Sequence, residues 1–190
     1  MVFTYGRRVF VKIFVISGKA RHGKDTVALD IKEIYEKKGL RVINLAYGSY
    51  IKEYAKKISD WDGKEESKPR ELLQELGTDI IRKKIDNDFF VRRICEDIKV
   101  YSYYFDIITI SDARFPNELE WPKKIFENVI NIRIIRDGYD SVLTKTEQKH
   151  LTEVALDEYN NYDYVIHNDG TLEDLKGKVL DVVRKVEHEY

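Results

Sequence analysis

The sequence predicts a three-layer α/β fold built on a mostly parallel five-stranded sheet that carries a helical insertion and a short lid. Three observations predict it. Short β-rich apolar runs alternate with amphipathic helical stretches, the pattern of a sheet covered on both faces by helices. The opening run, Val9–Ile16, is apolar nearly throughout, as a strand buried on both faces requires. Residues 48–100 are almost wholly helical in pattern, too long a stretch for a simple crossover between neighbouring strands.

In chain order, the first strand feeds a glycine-bearing loop and then a helix over Lys24–Lys38. There Val27, Ala28, Ile31, Ile34 and Tyr35 recur at three- and four-residue spacing, and Gly39 stands where a helix end favours positive φ. Arg41–Ala46 is a short second strand. Tyr50–Ile58 reads as a helix. A charged loop around Trp61–Glu66 leads to Ser67, the expected N-cap of the next helix, with Pro69 in its first turn and Leu72, Leu73, Leu76, Ile80 and Ile81 on one face. Another helix follows Asp88, with Phe89, Phe90, Val91, Ile94 and Ile98 apolar. Tyr104–Ser111 is the third strand, ending at Asp112, and Val129–Ile135 is the fourth. The polar stretch 137–160, with at most one short helix near Leu151–Leu156, is the lid; Tyr164–His167 is the fifth strand. Thr171-Leu172-Glu173-Asp174 has capping-box form and opens a last helix with Leu172, Leu175, Val179, Leu180, Val183 and Val186 on its apolar side. At 190 residues the whole reads as one domain, 1–190.

Composition narrows the function. Lys and Arg number 33 against 34 Asp and Glu, a net charge of -1, which removes the bulk electrostatic drive for stable nucleic-acid or anionic-membrane binding. No run approaches the ~20 apolar residues of a membrane span. Arg7 and Arg8 before Val9–Val11 imitate a signal peptide, but the apolar run passes straight into Ser17-Gly18 with no small-residue cleavage site. One cysteine, Cys95, cannot form an internal disulfide and suits a reducing, cytoplasmic compartment. His150 has no His, Cys or carboxylate at metal-ligand spacing, so a zinc site is not expected. Nothing in the chain speaks to oligomeric state.

Gly18-Lys19-Ala20-Arg21-His22-Gly23-Lys24 has the G-x-x-x-x-G-K form of a phosphate-binding P-loop, and it lies between a strand and a helix as the chemistry demands. Its backbone N–H groups can surround a phosphate at the positive end of the following helix, while the Lys24 ammonium reaches the terminal phosphates. Asp25 stands where the motif has Ser or Thr, and Thr26 follows. The Thr26 hydroxyl can serve a phosphate or Mg2+. Asp25 either holds a Mg2+-bound water or is a solvated carboxylate favoured by the helix dipole.

Three further blocks accompany this loop: Arg70-Glu71-Leu72-Leu73-Gln74-Glu75-Leu76-Gly77-Thr78-Asp79, Ser111-Asp112-Ala113-Arg114-Phe115-Pro116-Asn117-Glu118, and Thr152-Glu153-Val154-Ala155-Leu156-Asp157. In this order the chain resembles the phage-type deoxynucleoside monophosphate kinases, P-loop enzymes that pass the γ-phosphate of ATP to a nucleoside monophosphate. It is also similar to the P-loop form of phosphomevalonate kinase, through the Gly-Lys-Asp loop and the stretch Asp88-Phe89-Phe90-Val91-Arg92-Arg93-Ile94. The resemblance covers residues 13–180 and implies a P-loop kinase fold, ATP with Mg2+ as cofactor, and residues 48–100 as the acceptor-binding insertion.

Phosphoryl transfer needs in-line positioning and neutralisation of charge on the moving group, so cations are the residues to find. Lys24 is one. Arg114, two residues beyond the third strand, is another, with a surface ion pair as its alternative. Ligands of an open parallel sheet sit beyond the strands' carboxyl ends, where Gly18, Asp112 and Arg114 should converge. Asp112 resembles the acidic residue that organises Mg2+; the alternative is a cap on the following turn. Arg70 and Gln74 share a helix face, offering a phosphate clamp and an amide for a base or hydroxyl edge, and Arg82 continues the series. Of the cations at the lid, Arg133, Arg136, Lys145 and Lys149, Arg136 is the favoured one. Glu153 is expected to bind acceptor hydroxyls or to cap a helix beside Thr152. The resemblance places adenine near Asn168, which follows the last strand. A dephospho-coenzyme A kinase-like acceptor and a nucleotide-binding regulatory module are the remaining alternatives. A GTPase switch is disfavoured because there is no Asn-Lys-x-Asp guanine reader, Thr144-Lys145-Thr146-Glu147 being a poor substitute.

Overall fold

A computed structural model describes residues 11–139 and 143–189. Val9 and Phe10 of the expected first strand, and Arg7 and Arg8 before them, lie outside the described residues, as do 140–142 of the expected lid and Tyr190. Five strands, β1 (Lys12–Ser17), β2 (Val42–Leu45), β3 (Ile107–Ala113), β4 (Val129–Ile135) and β5 (Tyr164–His167), form one sheet in the order β2-β3-β1-β4-β5. Every pairing is parallel.

β1 is the central strand, and side-chain alternation sorts its residues between two cores. Phe14 and Ile16, fully buried, face α1 (Lys24–Glu36) and α8 (Leu172–Glu189), where Val27, Ile31, Tyr35, Leu175, Val179 and Val183 close the layer. Ile13 and Val15 face the other way, against α2 (Gly48–Ile58), α4 (Phe89–Tyr101) and α5 (Pro116–Ile125), with Tyr47, Phe90, Ile94, Ile98 and Leu119. Each buried Ile or Phe contributes about 1.5–3 kcal/mol through area removed from water, so this double core is the main support of the strand ends that carry the site. Among the described residues no helix is long and apolar enough to cross a membrane.

The structure changes the expected elements in five places. The helix expected after Ser67 begins at Arg70 with Pro69 at its N-cap, and the Ser67 hydroxyl, too far upstream to accept a first-turn N–H, donates to Asp62 Oδ1 (2.8 Å) within the preceding loop. After five residues of α3 (Arg70–Gln74) the chain widens into a π-helical segment, Glu75–Ile85, whose last turn closes with Asp86 N–H on the Ile81 carbonyl (2.8 Å). Residues 104–106, expected in β3, instead finish the turn after α4: the Tyr104 and Phe105 N–H groups both donate to the Tyr101 carbonyl at 2.9 Å. A helix, α5, also forms between β3 and β4, where none was expected. Pro116 occupies the first turn, where its missing N–H costs nothing, and Pro122 is carried inside the helix. At the lid, two short helices, α6 (Lys145–Gln148) and α7 (Leu151–Val154), replace the single one expected. The capping box of α8 forms as anticipated, with Thr171 N–H on Asp174 Oδ2 (2.8 Å) and Asp174 N–H on Thr171 Oγ1 (3.2 Å), but Leu172 faces solvent.

Candidate active site

Between the end of β1 and the start of α1 the chain turns through Gly18–Gly23. Gly18 passes so close to β4 that an added Cβ would lie 2.8 Å from the Ile134 carbonyl oxygen, and Gly23 takes φ 102, a left-handed conformation, directly before α1. The loop is fastened from the neighbouring strand ends. Asn168 Nδ2 donates to the His22 carbonyl (3.0 Å), and the Arg136 N–H donates to His22 Nδ1 (3.1 Å). Lys24 is buried, and its Nζ donates to the Lys19 carbonyl (2.8 Å). Burial, and secondarily the positive charge of Arg114, pushes its pKa down to about 8, against the opposing pull of Glu153, Asp25 and Asp112. Arg114, Glu153, Asp25 and Asp112 therefore all act on the Lys24 ammonium.

Asp112, at the end of β3, accepts the N–H groups of Tyr47 (2.8 Å) and Gly48 (2.9 Å), so its carboxylate anchors the start of α2. Burial raises its pKa while those two N–H groups oppose the shift. The capping expected of Asp112 is thus present, but on the chain after β2 and not on the turn after β3, because α2 begins beside the β3 terminus in space. Arg114 sits two residues on, with Nη1 2.6 Å from Glu153 Oε1. Glu153 also accepts the N–H of Ala20 in the phosphate loop (3.2 Å), and Asp157 pairs with Lys19 (3.0 Å). Segment 152–157 thereby lies across the loop.

Two clefts open here. One is bounded by Gly18, Lys19, Arg114, Arg133 and Glu153. The other, about 230 Å3, lies between α2, the π-helical segment and the end of β3, and is lined by Tyr47, Ile51, Gln74, Thr78, Arg82, Asp112, Arg114, Phe115 and Glu118 among others. Arg114 and Thr152 line both.

Of the residues singled out in the sequence, Gly18, Lys19, Lys24, Asp112, Arg114 and Glu153 come together, and Gln74 and Arg82 line the larger cleft. Arg70 is exposed on the first turn of α3 and is not a lining residue. Arg82 is buried and held at three points: Nη2 pairs with Glu118, Nη1 donates to the Asn87 carbonyl (3.0 Å), and the guanidinium lies 4.1 Å from the Phe115 ring centre. Two of its five N–H donors are thus taken up by the wall of the cleft. Asp25 is exposed on the first turn of α1, with Thr26 half-buried beside it, and Asn168 touches the loop backbone. Arg136, the favoured lid cation, is exposed and lies over the Tyr139 ring (4.4 Å), whereas Arg133 lines the phosphate-side cleft. The parallel register that pairs Ser17 with Arg133 explains the difference, placing the side chain beside the loop. Its signal in the sequence is a charged residue inside the apolar run Val129–Ile135. Sequence reasoning also missed Glu118, Tyr47 and Thr78, which the sequence marks only as a first-turn carboxylate, an aromatic after a strand and a helical threonine.

The sequence model of a family described as deoxynucleotide monophosphate kinase matches residues 32–179, well over half of the chain, and opens downstream of the phosphate loop. The chain is 32% identical over 116 residues to the deoxynucleotide monophosphate kinase of Escherichia phage RB69, covering 60% of this chain and 44% of that protein. It is 26% identical over 153 residues to the enzyme of that name from Enterobacteria phage T4, covering 80% and 58%. It thus spans about half the length of the curated relatives it matches. Among solved structures, the APS kinase of Mycobacterium tuberculosis in complex with AMPPNP and APS superposes with a TM-score of 0.55 at 13% identity, over 92% of this chain and 98% of that one. A gluconokinase from Sinorhizobium meliloti 1021 does so with a TM-score of 0.55 at 16%, over 97% and 98%. At such identities the likeness is one of fold: a parallel sheet with helices on both faces, as in the P-loop kinases.

Proposed function

Because the chain belongs to the deoxynucleotide monophosphate kinase family, we propose that it is an ATP-dependent P-loop kinase moving the γ-phosphate of ATP to a deoxynucleoside monophosphate to give the diphosphate. The observation that carries this reading is the shared wall of the two clefts. Arg114 stands between a phosphate loop on one side and a neutral, partly apolar cleft on the other. A guanidinium in that position can neutralise a phosphoryl group in transit between them.

On the donor side, the loop N–H groups, the N-terminus of α1, Lys24 and Arg133 supply positive potential for the ATP phosphates, and Lys24 must exchange its bond to the Lys19 carbonyl for one to a phosphate oxygen. Asn168 borders the loop where adenine would lie. Mg2+ suits the donors present, all hard oxygens: the Thr26 hydroxyl and the Asp25 and Asp112 carboxylates, the last two acting electrostatically on Lys24. When bound with ATP it would neutralise and orient the phosphates.

On the acceptor side, the polar groups of the larger cleft divide into engaged and free. Asp112, Glu118, Arg82 and the Tyr47 hydroxyl are engaged within the protein. The Gln74 amide and the Thr78 hydroxyl have no hydrogen-bond partner among the described residues. A neutral donor–acceptor pair flanked by Ile51, Leu73 and Phe115 suits the edge and face of a nucleobase. Phosphomevalonate carries a carboxylate at the end remote from its phosphate and would need a second cation there, while both arginines of this cleft are already ion-paired, Arg82 with Glu118 and Arg114 with Glu153. The segment around Glu153 would keep water from the transferring group, since hydrolysis of ATP is the competing reaction.

The test is a coupled ADP-release assay across deoxynucleoside and ribonucleoside monophosphates, phosphomevalonate and dephospho-coenzyme A. The expected result is turnover of about 1–100 s⁻¹ with at least one deoxynucleoside monophosphate. Turnover only with phosphomevalonate or dephospho-coenzyme A would move the acceptor assignment. ATP binding with no transfer to any of them would favour a regulatory module.

A further inference from the structure

We propose that Glu118 is a positioning residue for Arg114, and that Arg82 is the counter-ion which holds Glu118 in place. The role of Arg114 at the transferring phosphoryl rests on the proposed kinase reading. That Glu118 fixes its backbone does not.

Glu118 lies in the first turn of α5 and is only 2% exposed. An ordinary capping box asks a carboxylate here to reach back to one N–H, that of Phe115, which it does at 3.1 Å. Glu118 does more. The same oxygen, Oε2, accepts the N–H of Arg114 at 2.5 Å, one residue beyond the cap, while Oε1 takes Nη2 of Arg82. Arg82 is itself immobilised, with Nη1 on the Asn87 carbonyl (3.0 Å) and its plane against Phe115 (4.1 Å) and Phe90 (5.3 Å). The carboxylate therefore cannot turn away from Arg114. The backbone carbonyl of Glu118 accepts the Tyr47 hydroxyl (2.7 Å), which ties the same residue to the chain after β2.

One buried side chain thus links the cation at the end of β3 to the π-helical wall of the larger cleft. Stability does not call for such a pair, because two buried charges can commonly be replaced by apolar groups without loss. What an apolar pair cannot do is accept two consecutive backbone N–H groups. With those held, Arg114 can move only through its side-chain torsions, and its guanidinium is delivered to the boundary between the two clefts from a fixed origin.

The discriminating variant is Glu118→Leu combined with Arg82→Met, which removes both charges together and leaves neither unpaired. Measured against the wild type, its Tm is expected to stay within a few degrees. In hydrogen exchange, peptides covering 113–118 should exchange at least tenfold faster while those covering β1 are unchanged. In the coupled assay kcat should drop at least tenfold with the KM for ATP within threefold. Where that variant does not fold, Glu118→Gln keeps the side-chain volume but has a single carbonyl oxygen for three donors, and the same exchange and kcat losses are expected. Wild-type kcat, or unaltered exchange over 113–118, in a folded variant overturns the proposal. If the wild-type protein transfers phosphate to no acceptor, the kinase reading fails alone, and the exchange measurement still decides whether Glu118 fixes the Arg114 backbone.

Discussion

At the scale of single residues, Lys24 shows how function and stability oppose each other. Its ammonium is buried with its pKa near 8, below the ordinary value of 10.5. The unfolded chain therefore binds more protons than the folded one between about pH 8 and 10.5, and below that window the folded protein carries the full cost of a buried charge. Lys24→Met should abolish turnover while raising the Tm at pH 7 by roughly 2–4 °C, the equivalent of about 1 kcal/mol once the lost bond to the Lys19 carbonyl is offset. A fall in Tm on thermal unfolding would refute this. The same residue sets a pH dependence. In the free protein Lys24 loses its charge as the pH rises through about 8, so kcat/KM for ATP should decline above that point. Bound phosphates favour the charged form, so kcat should hold to higher pH. A kcat/KM profile flat from pH 7 to 9.5 would count against Lys24 as the phosphate cation.

At the scale of elements, the segment around α7 meets the phosphate loop through two ion pairs of unequal weight. Lys19–Asp157 is well exposed and contributes at most ~1 kcal/mol. Arg114–Glu153 is more buried, and its carboxylate also takes the Ala20 N–H, so Glu153 is the main tie. On the proposed kinase reading, the loop N–H and the guanidinium that hold Glu153 are donors that the ATP phosphates would also use. Glu153→Gln should therefore tighten ATP binding, by roughly three- to tenfold in calorimetric titration, as expected when a competing charge-assisted contact is weakened. Weaker binding would instead show that Glu153 helps to hold the nucleotide. At this scale the sequence was readable where local rules decide. The β4 and β5 bounds, the helix after Asp88 and the capping box of α8 were all legible, because a β-rich apolar run or a Thr-x-x-Asp cap depends only on near neighbours. The π-helical widening at Glu75–Ile85 and the helix α5 were not, because a π-helical stretch has the same apolar spacing as an ordinary amphipathic helix over so few turns, and two prolines in ten residues hide the second.

At the scale of the whole molecule, the sheet and both helical layers share the central strand β1, so access to the core should require cooperative opening. Cys95, the chain's one cysteine, tests this. It is buried on α4 beside Ile94 and Ile98, and burial pushes its thiol up to about 11. A thiol reagent at pH 8 should modify it only through unfolding, at least a hundredfold more slowly than a free thiol, and ATP should slow the reaction further if the nucleotide binds the native state. Fast native-state labelling would mean that α4 opens on its own. The α/β layering, the glycine-bearing loop 18–24 between β1 and α1 and the place of Arg114 just past β3 were all readable in the sequence, because alternation, glycine placement and strand ends are properties of short stretches. Long-range contacts settled that Asp112 anchors α2, that Arg82 pairs with Glu118, and that the side chain of Arg133 rather than that of Arg136 lines the phosphate-side cleft. Each of those outcomes depends on which distant carboxylate or backbone N–H arrives within about 3 Å, and that is set by parallel strand register and by helices packed across the sheet, which no local pattern encodes.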